Sequence, residues 1–251
     1  MENNEFRSIN GNSENGNGNG NGNYRIRVLS ADEASDEPHT NGNGPAAEYE
    51  QTEILTGSPE QRAAVEDAVY HLLDAFNVNW DDPNYTETPQ RVAKAYLDYW
   101  VSGYGRKPED EITVFPNSSS SKDLVMVKDM KFYSLCSHHL APIEGYAAIA
   151  YIPDKQLIGL SKLGRILEIY ARRFQLQERI GQQTADALMN LLIPKGVMIV
   201  LYNVTHGCMS SRGVKLHESN TTTYTYRGVF EDDPSLRSEI ISLLSLRNPG
   251  S

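Results

Sequence analysis

The chain has 251 residues and a formal net charge of −10, and most of that charge lies near its N-terminus. Residues 1–60 contain 11 acidic and 3 basic side chains, which leaves 22 acidic and 20 basic ones in the remainder. Such a nearly neutral body lacks the basic face of a general nucleic-acid-binding protein, although it can still hold a local pocket for one anion.

The sequence also predicts the compartment. We find no apolar run near the roughly 20 residues that a membrane-spanning helix needs, and no N-terminal signal pattern. We therefore expect no membrane association and predict a cytoplasmic protein. Only two cysteines occur, and in a reducing compartment such a pair is more often a pair of thiols or metal ligands than a disulfide.

The first 57 residues are predicted to form a disordered, acidic tail rich in Asn and Gly. Residues 15–23 alternate strictly between Asn and Gly, and residues 41–44 repeat the pattern. A segment of this composition buries too little apolar surface to offset the entropy lost on ordering. We therefore predict one folded catalytic domain over residues 58–251.

The predicted domain begins with two helices that form an N-terminal hairpin. Ser58-Pro59-Glu60 supplies a capping side chain, a proline in the first turn and an acid near the positive helix end. Thr88-Pro89 opens the second helix in the same way. Apolar side chains follow each start at helical spacing: Val65, Val69, Leu72 and Phe76 in the first helix, and Val92, Tyr96, Tyr99 and Trp100 in the second.

The rest of the domain alternates strand-like and helical segments. Strands are predicted at residues 124–127, 146–152, 156–160, 197–204 and 221–230, and helices at about 162–173, at 178–192 and after Asp233-Pro234. The run 197–204 is almost continuously apolar and indicates a buried strand. This order predicts an α+β domain in which an antiparallel sheet carries helices on one face.

Two short windows contain both cysteines and three of the six histidines. The first is Cys136-Ser137-His138-His139, and the second is His206-Gly207-Cys208. A Cys-x-x-His spacing brings two ligands together within one turn, and thiolate with imidazole favours zinc. Three protein ligands, namely both cysteines and one histidine, would leave a fourth position open for a water molecule, which is typical of catalytic zinc.

Other interpretations of these windows remain open on spacing alone. The cysteines could form a disulfide, a second histidine could close a structural zinc site, and each histidine could be an ordinary polar core residue. Because His138 and His139 are adjacent, they point to opposite sides of an extended chain, so one can bind metal while the other faces a substrate. His206 lies two residues from Cys208, on the same side of a strand, where a proton donor or acceptor would be useful.

A second group of candidate residues is polar and mostly cationic. Lys162 and Arg165 lie three apart on one predicted helix, just after Ser161, and Arg212 follows Cys208 by four residues. Their nearness in sequence to the metal windows favours an anion site such as one for phosphate, although a solvated helix face is the simpler alternative. Gln177 and Glu178 open a predicted helix, where they serve either as caps or as partners for the hydrogen-bond donors of a heterocycle.

Several segments together resemble the GTP cyclohydrolase I family, and the resemblance extends from about residue 60 to about residue 247. Its motifs appear in the expected order and are highly specific as a set. They are TPQRVA at 88–93, FYSLCSHHLAP at 132–142, GLSKLGR at 159–165, RRFQLQER at 172–179, THGCM at 205–209 with Arg212-Gly213, and GVF at 228–230.

The resemblance implies a tunnelling fold, a toroidal homo-oligomer of ten subunits with shared active sites, and hydrolysis of GTP to 7,8-dihydroneopterin triphosphate and formate. That reaction is the entry to tetrahydrofolate or tetrahydrobiopterin synthesis. By motif, the zinc ligands are Cys136, His139 and Cys208, and the catalytic residues are His138, His206 and Ser161. The implied substrate contacts are Gln177 and Glu178 for guanine, and Lys162, Arg165 and Arg212 for the triphosphate.

The sequence departs from the family pattern at three places. Ser137 stands where the family usually has glutamate, Ala148 stands where histidine is common, and residues 217–226 differ before the final Gly-Val-Phe. These changes leave the implied ligands and phosphate contacts in place. They also support an alternative, a divergent paralogue that binds a purine triphosphate or a pterin with altered or no turnover.

Overall fold

A computed structural model describes residues 57–118, 123–212 and 219–246 of the chain. The predicted disordered tail therefore lies, apart from Gly57, outside the described residues. None of the helices in these three ranges is long and apolar enough to cross a membrane.

The described part contains eight α-helices and seven strands. The helices are α1 (Pro59–Ala75), α2 (Thr88–Ala95), α3 (Pro108–Glu111), α4 (Leu160–Ala171), α5 (Gln177–Leu192), α6 (Gly207–Ser210), α7 (Val229–Asp232) and α8 (Pro234–Ser245). The strands are β1 (Val114–Pro116), β2 (Val125–Cys136), β3 (Pro142–Ile152), β4 (Gln156–Ile158), β5 (Phe174–Gln175), β6 (Gly196–His206) and β7 (Thr221–Gly228).

Five strands form the central sheet in the order β5-β2-β3-β6-β7, and β1 pairs with β4 in a small separate sheet. Neighbouring strands from β2 to β7 run antiparallel, whereas the short β5 runs parallel to the end of β2. This arrangement confirms the predicted α+β class. It also brings the end of β2, the start of β3 and the end of β6 together at one end of the sheet.

The long helices α4 and α5 cover one face of this sheet. Leu163 and Ile166 of α4 and Ile180 of α5 are fully buried against β-strand residues such as Ile149 and Ile199. Burying apolar side chains of this size contributes about 1.5–3 kcal/mol each relative to exposure. The core thus fixes α4 and α5, whose ends carry most of the predicted substrate contacts.

The opposite face of the sheet is covered as well, which corrects the prediction of helices on one face only. Ala148, Met198 and Val200 form a second buried cluster with Phe230 of α7 and Ile240 of α8. The physical reason is that the central strands β3 and β6 are apolar on both faces, so both faces must be shielded from water. Ala148 therefore packs in this second cluster, about 16 Å along β3 from Ile143, which pairs with His206.

The first helix begins as predicted but packs differently. The Ser58 side chain accepts a hydrogen bond from the Gln61 backbone N–H at 3.1 Å and so caps α1. Helix α1 contacts α2, yet none of its residues is buried. Leu72 and Phe76, two of its predicted apolar face, are 57% and 75% exposed. Within one chain, α1 therefore leaves part of its apolar face unpacked, while Val65 and Val69 are half-buried.

Candidate metal centre and surrounding site

The first predicted ligand is the last residue of β2, and a tight turn follows it. The Cys136 backbone N–H donates to the Ala141 carbonyl, and the Leu140 N–H donates back to the Cys136 carbonyl, both at 2.8 Å. Leu140 has a φ of 52°, a left-handed conformation that a leucine seldom adopts. The turn brings the His139 Nδ1 to 3.8 Å from the Cys136 Sγ.

The second window reaches the same place through the pairing of β3 with β6. His206, the last residue of β6, pairs with Ile143, so the short helix α6 begins beside the start of β3. A Cβ at Gly207 would lie 3.2 Å from Pro142, so this close approach leaves little room for a side chain. The ligand atoms of Cys136, His139 and Cys208 consequently all lie within 4.8 Å of one another.

The chemistry of these three side chains fits a metal ion. Both cysteines are free thiols, so the disulfide interpretation does not apply to this structure. Burial is the main cause that raises the pKa of the Cys208 thiol, because it disfavours the charged thiolate. The neighbouring Cys136 sulfur raises it further, because two close thiolates repel each other. The 3.8 Å from Cys136 Sγ to His139 Nδ1 is close to the roughly 3.6 Å separating two ligands of a tetrahedral zinc ion.

Two further groups border the candidate metal centre. The His138 side chain is exposed, and its ring lies 6.1 Å from that of His139 between centroids. The Arg212 guanidinium contacts the His139 Nε2. Because a guanidinium only donates hydrogen bonds, that nitrogen accepts, and Nδ1 is the ring nitrogen facing Cys136. The structure thus places Arg212 beside the three candidate ligands, as the sequence predicts.

His206 lies two residues before the candidate ligand Cys208 and is hydrogen-bonded to the start of α5. Its Nε2 lies 2.8 Å from the Oε1 of Gln177, and the Gln177 side chain is buried. Burial lowers the pKa of His206, and the charge of Glu178 opposes that shift in part. The neighbouring Glu178 is exposed in the first turn of α5. One helix start therefore supplies a buried amide and an exposed carboxylate.

Two predicted anion contacts, Lys162 and Arg165, and the predicted catalytic residue Ser161 do not join this group within one chain. A Cβ at Gly164 would lie 3.6 Å from the Met130 sulfur, so this part of α4 packs beside the middle of β2. Cys136 lies six residues farther along β2, a distance of about 20 Å at the usual rise of a strand. Ser161, Lys162 and Arg165, near the start of α4, are therefore too far from the metal candidates to act on the same small molecule.

The start of α4 has its own ion pairs, which sequence reasoning missed. Arg165 Nη1 lies 3.2 Å from one Glu111 carboxylate oxygen, and Arg106 Nη2 lies 3.0 Å from the other. Hydrogen bonds from Arg106 and Arg165 lower the pKa of the Glu111 carboxyl. The signal was available in part, because α3 reads Pro-Glu-Asp-Glu, but its approach to α4 depends on tertiary packing.

Two buried polar residues next to the ligand turn were also missed as structural supports. The carbonyl of Gln175 in β5 accepts the Ser137 N–H at 3.0 Å and thereby anchors the first window. Arg173, only 5% exposed, donates to the carbonyls of Ile169 and Gly103. Arg173 is thus a buried residue that joins the end of α4 to the segment at Gly103.

Comparison with known proteins agrees with the site geometry. A model of the GTP cyclohydrolase I family matches residues 65–245. The chain belongs to the GTP cyclohydrolase I family. The match includes both metal windows, the start of α4 and the start of α5. All the sequence motifs that resemble this family, from 88–93 to 228–230, lie within it.

Individual relatives cover the same region. The chain is 41% identical over 184 residues to GTP cyclohydrolase 1 of Deinococcus radiodurans, covering 73% of this chain and 84% of that protein. It is 43% identical over 182 residues to GTP cyclohydrolase 1 of Streptococcus pyogenes, covering 72% and 92%. A solved structure of the archaeosine synthase QueF-Like is more distant, with 16% identity, a TM-score of 0.35, and coverage of 43% of this chain and 96% of that one.

Proposed function

We propose that this protein is a zinc-dependent GTP cyclohydrolase that converts GTP to 7,8-dihydroneopterin triphosphate and formate. The observation that carries the proposal is the meeting of Cys136, His139 and Cys208 beside His206 and Glu178, in a chain of this family. It combines a metal site, a proton-transferring imidazole and a carboxylate that can recognise a base.

The zinc ion would be held by Cys136, His139 and Cys208. It would lower the pKa of a bound water molecule to about 7, so that this water can attack carbon 8 of guanine. The same residues explain how Arg212 can become available. If His139 binds metal through Nδ1, its ring proton moves to Nε2, and two donors then face each other. Arg212 would leave His139 and be free to bind a phosphate oxygen of the substrate.

Glu178 is the proposed guanine-recognising residue. Its exposed carboxylate can accept two hydrogen bonds from the N–H groups on one edge of guanine, whereas an adenine edge offers no matching pair. Gln177 is the other residue that the family motif assigns to guanine. Both of its amide atoms bind partners within the chain, so its contact with the base stays a prediction.

His138 and His206 are the proposed proton carriers. Attack of water on carbon 8 is followed by opening of the five-membered ring, which requires protonation of a ring nitrogen. His206 is half-buried and fixed by Gln177, whereas His138 is exposed. We assign the more firmly positioned His206 to the ring nitrogen and His138 to the water side of the site.

Ser161, Lys162 and Arg165 would complete the site from a second copy of the chain. They lie about 20 Å from Cys136 in their own chain, yet three adjacent donors at a helix start are suited to a triphosphate. We therefore propose that the active site is shared between subunits of a homo-oligomer, with GTP bridging the metal end of one subunit and the α4 end of its neighbour.

Unpaired surfaces of the chain support this assembly. Among the described residues, β7 pairs only with β6, and β2 pairs with β5 only at its last two residues. Both edges of the central sheet can thus add another strand, as strands do when sheets continue across subunits. The exposed apolar face of α1 favours burial at the same or another contact. We propose a tunnelling fold with an N-terminal helical hairpin in a toroid, with ten subunits as the family expectation.

A turnover assay tests the proposal directly. Purified protein is incubated with GTP, pterin fluorescence and formate are followed, and the assay is repeated with a chelator and with zinc added back. We expect product only in the zinc-loaded samples. If zinc-loaded, assembled protein yields neither pterin nor formate, the proposed activity is wrong.

The divergent-paralogue alternative depends on Ser137, which is exposed beside the candidate ligand Cys136. It predicts GTP binding without turnover. The variant Ser137→Glu separates the two proposals, because it restores the family's usual carboxylate at that position. Activity that appears only in Ser137→Glu favours the alternative, whereas activity in the unmodified chain excludes a silent protein.

A further inference from the structure

Strand β7 packs against α5, and its first residues face the start of that helix. Alternate residues of β7 are partly buried, namely Thr221, Thr223 and Thr225, while the residues between them are exposed. A Cβ at Gly181 would lie only 2.8 Å from the Thr225 hydroxyl, so α5 packs closely on this threonine row. The row therefore presents three hydroxyl groups to one helix face.

Two of these hydroxyls bind the Gln177 side chain. Thr221 Oγ1 donates to Gln177 Oε1, and Gln177 Nε2 donates to Thr223 Oγ1 at 3.1 Å. Gln177 is only 3% exposed, and a buried amide that loses such partners is destabilised because water cannot replace them. The two threonines consequently hold the amide plane in one orientation.

The same amide determines how His206 is presented. Gln177 Oε1 lies 2.8 Å from His206 Nε2, and Thr221 Oγ1 lies 3.3 Å from that nitrogen. With the amide oxygen facing the ring, Nε2 must carry the proton, because two lone pairs would otherwise face each other. The other ring nitrogen, Nδ1, then keeps a lone pair that can accept a proton.

We propose that Thr221 is a positioning residue that acts through Gln177 on His206. This inference rests on the proposed function, since it assigns the tautomer and orientation of the imidazole that transfers a proton in that reaction. Among the described residues, the Thr221 hydroxyl has hydrogen-bond partners in Gln177, Val204 and His206. This hydroxyl binds the Gln177 oxygen that faces His206, Thr223 binds the amide nitrogen on the other side, and together they hold the amide group in place.

A matched set of three variants tests the role of the hydroxyl. Thr221→Val keeps the shape of the side chain and removes the hydroxyl, Thr221→Ser keeps the hydroxyl, and Thr222→Val makes the same change at an exposed neighbour. We expect kcat for GTP to fall roughly 5- to 10-fold in Thr221→Val, the equivalent of about one hydrogen bond, with KM within about twofold because Thr221 is not among the proposed substrate contacts. Thr221→Ser and Thr222→Val should stay close to the unmodified enzyme.

The outcomes separate this inference from the proposed function. If the unmodified enzyme turns over GTP but Thr221→Val keeps its kcat, or Thr221→Ser is impaired as much as Thr221→Val, the positioning role is wrong and the activity stands. An unmodified enzyme without turnover overturns the activity itself. Should Thr221→Val fail to assemble, Thr221→Ala and Thr223→Val provide the comparison: a purely structural threonine row would change thermal unfolding and KM along with kcat.

Discussion

The two ends of the central sheet differ in how much of a working site one chain provides. At the end of β2 and β6, three candidate metal ligands lie within 4.8 Å, and His206 is already held by Gln177. At the start of α4, Lys162 and Arg165 present donors to an anion, but Arg165 is paired with Glu111. The first end is organised by backbone pairing within the chain, whereas the second is proposed to act together with a partner subunit.

This difference shows how the proposed work is divided. Groups that act on the purine must be placed within a few tenths of an ångström, and strand register with buried hydrogen bonds provides such placement. A triphosphate is long and highly charged, so flexible cations on another subunit can bind it without the same accuracy. Each end therefore predicts a different response to mutation.

The largest effect is expected at the metal end. Cys208→Ala removes one of three ligands, so zinc content and turnover should both be lost, by more than the roughly 10–100-fold that supporting residues of metal sites typically contribute. Metal analysis and the pterin assay measure the two effects. Met209→Leu, a change at the next residue that removes no ligand, should keep both. A Cys208→Ala protein with full activity would show that the cluster is not the metal site.

The next largest effect is expected at the α4 end, and it should differ in kind. A Lys162→Ala/Arg165→Ala double variant loses two charge-assisted contacts, so we expect kcat/KM for GTP to fall roughly 10²–10³-fold. Zinc content should not change, because these residues lie about 20 Å from Cys136 in their own chain. Steady-state kinetics and metal analysis of the same preparation check both statements.

Mixing the two defective proteins tests whether neighbouring chains share the site. Co-expressed Cys208→Ala and Lys162→Ala/Arg165→Ala subunits should regain up to about a quarter of the unmodified activity, because random assembly leaves that share of sites with both halves intact. Each variant assembled alone is the control. Mixed assemblies no more active than the separate variants would contradict the shared site.

A smaller effect is expected from the carboxylate at the start of α5. Glu178→Gln keeps the shape of the side chain but replaces one acceptor by a donor, so kcat/KM for GTP should fall roughly 10- to 100-fold. Inosine triphosphate, which lacks the exocyclic amino group of guanine, is the matched substrate. The loss should be smaller with it, because only one of the two proposed hydrogen bonds can be affected. Equal losses with both nucleotides would contradict base recognition by Glu178.

The metal end could be predicted from sequence because its signals are local. The spacing of Cys136 and His139 fits a single turn, and the structure forms that turn with Leu140 in a left-handed conformation. Cys208 was recognisable because it follows a long apolar strand. The register that pairs His206 with Ile143 was not predictable, since it depends on how the two strands pack in the folded core.

The α4 end was harder to predict because residues that are close in the sequence lie far apart in the fold. Lys162 follows His139 by few enough residues to suggest proximity, yet β3 runs the full length of the sheet between them and carries the chain to its far end. Similarly, Gln177 reads as an exposed residue at a helix start, whereas its contacts with Thr221 and Thr223 bury it. Such contacts join segments about 45 residues apart, and spacing rules do not reach that far.

The smallest expected effect concerns the ion pair that occupies Arg165. Arg106 and Arg165 lower the pKa of the Glu111 carboxyl, so this group stays charged above its ordinary pKa and loses the pairing only as the pH falls through the lowered value. Glu111 therefore stays charged and competes with a triphosphate for Arg165 near neutral pH.

The variant Glu111→Gln tests this competition. It should release Arg165 and lower KM for GTP about twofold at low salt, with a smaller change at high salt because exposed pairs are screened. Glu109→Gln, which changes an acid on the same short helix, is the control, and a higher KM in Glu111→Gln would mean that Glu111 orients Arg165 rather than competing for it.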